Sequence, residues 1–254
     1  MQIKVLGCSG GIGPGLRTTS LLIDGEVLID AGTGVGDLSL EQMQAIAAVY
    51  ITHSHLDHVC GLAFMADNLF DLIDKPIDVY TTAPTLSALR EHLFNWKLWP
   101  DFSKLPSEER GLIRFHEISV GQSAQTNCKK ITAFEVLHTV PAVGYAVEGP
   151  AGTFVFTGDT YATDKLWDFL NQLPRVDKLM IDVAFTDEQA ELGRISRHFT
   201  PELLGQELAK LKHRPELLLT HHKPGFEARI AQECAAALGD WNYRHLRRGD
   251  LIDL

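Results

Sequence analysis

The chain has 254 residues, 45% of them hydrophobic and 22% charged, enough to bury a sizeable core at the upper end of what one domain holds. A formal net charge of −10 repels polyanions in general, so bulk binding to nucleic acid is a poor first reading, although a local basic patch or bound cations could reverse the field near a site. There is no repeat, no low-complexity tract, no linker and no apolar run near the ~20 residues of a membrane helix, and a single domain over residues 1–254 is expected.

The opening MQIKVLGCSGG alternates like a first strand and lacks the apolar core of a signal peptide, which makes the cytoplasm the expected location. GGIGPG, residues 10–15, has no phosphate-loop lysine after it and no complete dinucleotide fingerprint, so a tight loop needing positive φ angles is the better account. Five short apolar runs follow, GEVLIDAG, AVYITHSH, TFVFTGDT, KLMIDVAF and ELLLTHH. Each ends in a polar residue and reads as a strand buried on both faces. Helical spacing is predicted over Leu62 to Ile73, Thr85 to Leu93 and Glu227 to Leu238. A further helix is expected to start with Thr200 as N-cap and Pro201 at its first position. Strands mixed with covering helices give an α/β class in layers. Cys8, Cys60, Cys128 and Cys234 are far apart with no CxxC pair, and reduced, mostly buried thiols are expected.

The stretch ITHSHLDHVCG, Ile51 to Gly61, crowds His53, His55, Asp57 and His58 after an apolar strand. In an extended loop, His53, His55 and Asp57 point one way and His58 another. Imidazoles and carboxylates are the usual ligands of zinc and similar cations, and without a cation their crowding is unfavourable whenever they carry like charge.

HxHxDH is the signature of the metallo-β-lactamase superfamily. The chain resembles that superfamily along its length, with His138 in VLHTVPAVGY, Asp159 in TGDT and His221 in LTHHKPG following in the family's order. The resemblance implies an αβ/βα four-layer sandwich with a dinuclear site at one edge. It assigns His53, His55 and His138 to one metal and Asp57, His58 and His221 to the other, with Asp159 bridging. His221 is preferred to His222 because it ends the apolar run in the family's T-H-x-x-P context. Two divalent ions are implied, zinc first, with manganese or iron as alternatives.

Within the superfamily, HSHLDHVCGLAF and the segment ALREHLFNWKLWPDFS, Ala88 to Ser103, resemble the class II 3′,5′-cyclic-nucleotide phosphodiesterases. The opening LGCSGGIGPGLRTTS and His198-Phe199-Thr200 are similar to the tRNA 3′-processing endonucleases, whose basic tRNA-gripping insertion has no counterpart here. The resemblance therefore implies hydrolysis of a small phosphodiester such as cAMP or cGMP to the 5′-monophosphate by metal-generated hydroxide. RNA 3′-end processing, another ester hydrolysis and a non-catalytic metal protein remain as alternatives. Asp57, His198 and Asp182 are the candidate catalytic residues, His198 as proton donor to the leaving oxygen and Asp182, in IDVAF, as its partner, an Asp where those relatives carry a longer Glu. Asp30 is expected to support a ligand histidine or to cap a turn. Phe94, Trp96, Trp99 and Phe102 could wall a purine, but core packing accounts for such clusters more often. His92, His116, His213 and His245 have no companion motif. A homodimer is common among the relatives.

Overall fold

A computed structural model describes all residues 1–254. Strands β1 (Gln2–Gly7), β2 (Ser20–Ile23), β3 (Val27–Ile29), β4 (Ala48–Tyr50), β5 (Ile77–Thr81) and β6 (Ile113–Glu117) lie in one sheet. Strand β14 (Leu251–Asp253) joins its edge, giving the order β14-β1-β2-β3-β4-β5-β6. The second sheet runs β13-β12-β11-β10-β9-β8-β7. Its members are β7 (Ser123–Thr126), β8 (Lys129–Glu135), β9 (Val143–Gly149), β10 (Gly152–Phe156), β11 (Lys178–Asp182), β12 (Glu216–Thr220) and β13 (Tyr243–His245). Helices α1 (Leu40–Gln44), α2 (Leu56–Leu69) and α3 (Ala83–Ala88) fall in the first half of the chain. The second half carries α4 (Asp164–Gln172), α5 (Ala190–Ser196), α6 (Pro201–Glu207) and α7 (Glu227–Ala237).

Three apolar layers follow from this order. Ile3, Val5, Leu21, Ile29, Tyr50, Tyr145, Phe154, Phe156, Met180 and Leu218 fill the space between the sheets. Leu28, Val49 and Val79 pack outward against Leu62, Met65 and Leu69 of α2. Val155, Leu179 and Leu217 pack outward against Leu166, Trp167 and Leu170 of α4, Leu204 of α6 and Ile230 of α7. This is the αβ/βα sandwich, and each of the five apolar runs supplies a strand with almost every residue buried. Strands covered on both faces need no alternation.

The sequence places several features wrongly. The predicted helix Leu62 to Ile73 is observed at Leu56–Leu69. Phe70 leaves helical geometry (ψ 129°) and Asp71 is left-handed (φ 64°), which stops the chain before Ile73. At the other end, His55 is extended and forms the N-cap, so Asp57 and His58 occupy the first helical turn rather than an extended loop. An acid in that turn is favoured by the helix dipole. The helix expected from Thr85 begins at Ala83 and passes into a wider π turn over Leu89–Leu93. Thr200 does precede α6, with Pro201 first, but its side chain makes no capping hydrogen bond. Among the loop glycines only Gly15 has positive φ; Gly10 is required by closeness, since a Cβ there would meet the His221 carbonyl oxygen at 2.4 Å. All four cysteines are free, but only Cys234 is buried and Cys128 is exposed.

Gly61 brings α2 onto the turn after β3. Its N–H donates to the Ala31 carbonyl at 2.7 Å, and Ala31 N–H donates in turn to the His58 carbonyl at 2.8 Å. A Cβ on Gly61 would lie 2.3 Å from the Gly32 carbonyl oxygen. Gly61→Ala is therefore expected to destabilise the fold by about 1–3 kcal/mol, the usual cost of overpacking. Denaturant unfolding checks this, with a lower midpoint at unchanged slope as the expected result.

Candidate metal centre

The loop that carries the histidine motif is fixed before it reaches the site. The Ile51 carbonyl accepts from Tyr145 Oη across the inter-sheet core at 2.9 Å and from Thr81 Oγ1 at 3.1 Å. Thr52 is held by Asp30, whose Oδ1 accepts from the Thr52 N–H at 2.8 Å. The other carboxylate oxygen, Asp30 Oδ2, accepts from His58 Nδ1 at 2.6 Å. Asp30 is fully buried. It therefore plays the supporting part expected of it: it fixes the His58 tautomer and leaves Nε2 for the site.

Two groups of ligand atoms result, each gathered within 4.8 Å: His53, His55, His138 and Asp159 in one, Asp57, His58, Asp159 and His221 in the other. Asp159 belongs to both. Its Oδ2 lies 3.3 Å from His58 Nε2, 3.8 Å from His53 Nε2 and 4.0 Å from His138 Nε2, while Oδ1 lies 3.3 Å from His221 Nδ1. All of the candidate ligands are thereby brought together. The helical turn at His55 is what sends Asp57 to the group of His58 and not to that of His53, against the alternation of an extended loop.

The residues fit a cation on the state of their own atoms. His53 Nε2, His58 Nε2 and His221 Nδ1 are buried with no well-aligned hydrogen bond, facing the Asp159 carboxylate at 3.3–3.8 Å, a costly condition that a metal ion relieves. Burial pushes His53 and His221 well below the ordinary imidazole range and His138 down to about 4, so these rings are neutral, as metal ligands must be. Burial would also lower His58, but the Asp159 and Asp30 carboxylates outweigh it and hold the ring's pKa well above the usual value. That demand for positive charge beside Asp159 is one a cation can meet. His221 takes a left-handed backbone (φ 65°), pinned where its N–H donates to the Cys8 carbonyl at 2.8 Å. Such strain is characteristic of functional sites.

Beside the cluster, His198 Nδ1 donates to Asp182 Oδ2 at 2.7 Å, and the other oxygen of Asp182 accepts from the Phe199 N–H at 3.1 Å. The shorter Asp reaches because β11 ends at Asp182 and the Phe199 amide docks on it. Burial alone would lower the His198 pKa, yet the Asp182 carboxylate raises it above the usual value. The His198 ring stacks on His221, centroids 5.1 Å apart.

The aromatic segment does not wall the site. Phe94 and Phe102 are in the helix-side core, and Trp99 packs on that core while donating Nε1–H to the Ala63 carbonyl at 3.0 Å. Only Trp96 is largely exposed. His222 turns away from the cluster, with Nδ1 donating to the Val183 carbonyl at 2.7 Å and Nε2 paired with His245 Nδ1 at 2.8 Å. His245 thus has a companion that its isolated position in the sequence concealed, since parallel pairing of β12 with β13 creates the contact. His116 likewise gains Asp78, 2.7 Å from its Nε2. No helix is long and apolar enough to cross a membrane.

Known proteins share this fold and parts of this sequence. The chain is 27% identical over 209 residues to a protein named probable 3′,5′-cyclic-nucleotide phosphodiesterase of Yersinia pestis, covering 72% of this chain and 59% of that one. It is 31% identical over 129 residues to a ribonuclease Z of Methanopyrus kandleri, covering 49% of this chain and 40% of that one. The chain thus spans less than two thirds of the length of either relative. The crystal structure of unliganded yeast PDE1 superposes with a TM-score of 0.83 at 18% identity, covering 100% of this chain and 99% of that one. A profile described as beta-lactamase superfamily domain matches residues 26–222, so the chain belongs to that family and is a metallo-β-lactamase superfamily hydrolase.

Proposed function

We propose that residues 1–254 form one domain that hydrolyses 3′,5′-cyclic nucleotides to 5′-monophosphates in the cytoplasm. His53, His55 and His138 would hold one divalent ion and Asp57, His58 and His221 a second, with Asp159 between them, zinc being the first choice. Such a pair of cations supplies charge neutralisation at phosphorus and a nucleophile at neutral pH. The remaining work belongs to side chains. Hydrolysis adds a water oxygen to phosphorus and breaks the P–O3′ bond. Asp57, whose side chain is 32% exposed against 0–3% for the others of its group, is placed to take the water's proton. His198, kept as the imidazolium by the Asp182 carboxylate, gives O3′ its proton from Nε2 and is left neutral with its Nδ1–H still on Asp182.

The choice of a small substrate over RNA rests on the cleft beside His138. It has a volume of about 520 Å³, within the range of small-molecule pockets, and is lined by Glu117 and Glu135 with no Lys or Arg. An RNA strand needs cations along its path; one nucleoside against Val136, Val140 and Pro141 does not. Zinc-loaded protein offered cAMP and a precursor tRNA side by side tests the choice. Consumption of cAMP with the precursor intact is expected, and cleavage of the precursor alone would overturn the reading in favour of RNA 3′-end processing.

A further inference from the structure

A second cavity, of about 600 Å³, opens on the far side of the strand end that carries His221. Its wall includes His222 and His245, the loop residues Cys8, Ser9 and Leu16, and three arginines, Arg17, Arg247 and Arg248. In a chain of net charge −10, three guanidinium groups around one cavity are out of keeping with the surface at large. Asp37 ties two of them together, 2.9 Å from Arg248 Nη1 and 3.4 Å from Arg17 Nε. The Arg247 guanidinium has no protein acceptor, though its backbone N–H donates to Asp250 Oδ2 at 2.9 Å. The one acid in the wall, Glu227, is turned back on its own helix start and accepts from the Gly225 N–H at 2.8 Å.

The two histidines complete the site in a defined tautomer. His222 donates from Nδ1 to the Val183 carbonyl, so in its neutral form Nε2 accepts and His245 Nδ1 is the donor. His245 is therefore left with Nε2 for a ligand. Leu16, Ala228, Ala231 and Leu246 supply apolar wall between the charged groups.

We propose that this cavity binds a phosphorylated small molecule, its phosphate held by Arg247, Arg248 and Arg17 and its body laid against the apolar wall and His245. Guanidinium forks match phosphate oxygens bidentately, and the cavity has the size of a small-molecule site. It is separate from the metal centre, because His221 and His222 face opposite ways from one strand end. The same loop serves both: the Cys8 carbonyl accepts from the His221 N–H at 2.8 Å, and the Gly10 N–H donates to the His222 carbonyl at 3.0 Å.

The probes are inorganic phosphate and 5′-AMP, titrated calorimetrically into zinc-loaded protein. Two classes of site are expected for 5′-AMP in the unaltered chain. Arg247→Ala with Arg248→Ala should weaken one class at least about tenfold, the loss of charge-assisted hydrogen bonds, with zinc content and circular dichroism unchanged. Asp159→Ala should remove the other class and keep this one. The lysine pair, Arg247→Lys with Arg248→Lys, should bind more weakly than the arginines and more tightly than the alanines. A single class abolished by Asp159→Ala and untouched by the arginine changes would overturn the proposal. So would a single-stranded RNA that binds through Arg247 with a steep salt dependence and is not displaced by 5′-AMP, which would make the cavity part of a nucleic-acid path.

Discussion

Asp159→Ala is expected to reduce bound metal from two ions per chain to at most one and to lower turnover by about 10³ or more. The reason is the central place of one carboxylate: its two oxygens face His53, His58, His138 and His221 across 3.3–4.0 Å. Removing it separates the two ligand groups and leaves neither a shared anion nor a full donor set. Metal-ion catalysis contributes several kcal/mol of charge stabilisation in the transition state, and each 1.36 kcal/mol is a factor of ten in rate. Elemental analysis of the dialysed variant alongside its turnover checks both halves of the expectation. A variant that keeps two ions and full activity would remove Asp159 from the centre.

His198→Ala is expected to behave differently, with turnover lowered about 10²–10⁴-fold, the usual contribution of a positioned acid or base, and metal content retained. The distinction matters because His198, Asp182 and Asp159 themselves offer ligand atoms within 4.8 Å of one another, so His198 could serve as a ligand. Equal loss of metal and of rate would assign it to that role. The leaving group gives a second check. A p-nitrophenolate departs without a proton, so the deficit of His198→Ala on bis(p-nitrophenyl) phosphate should be much smaller than on cAMP. A deficit of the same size on both substrates would contradict proton donation.

Much of this centre is legible in the sequence because metal chemistry fixes residue type and order together. The apolar runs with His or Asp at their ends are buried strands, and His53, Asp159, Asp182 and His221 at those ends reach the cluster, Asp30 supports it through His58, and His222 turns away. What the sequence obscured depends on local geometry or on distant pairing. Asp57 looks extended by alternation, yet the N-cap at His55 starts a helix there and redirects it. His222 and His245 lie 23 residues apart and meet only because β12 and β13 run parallel. Phe94 and Phe102 give no sign in their spacing of whether they line a pocket or the core, and burial decides for the core. Gly10 looks like a turn glycine, whereas the His221 carbonyl is what excludes a side chain.

The central claim is that the paired donor groups and His198 together open a cyclic phosphodiester on its 3′ side. Zinc-loaded protein incubated with 3′,5′-cAMP and followed by ³¹P NMR tests it most directly. The expected result is conversion of the cyclic resonance to that of 5′-AMP, dependent on metal and absent in Asp159→Ala. No conversion by a chain shown to hold two ions, or 3′-AMP as the product, would contradict it.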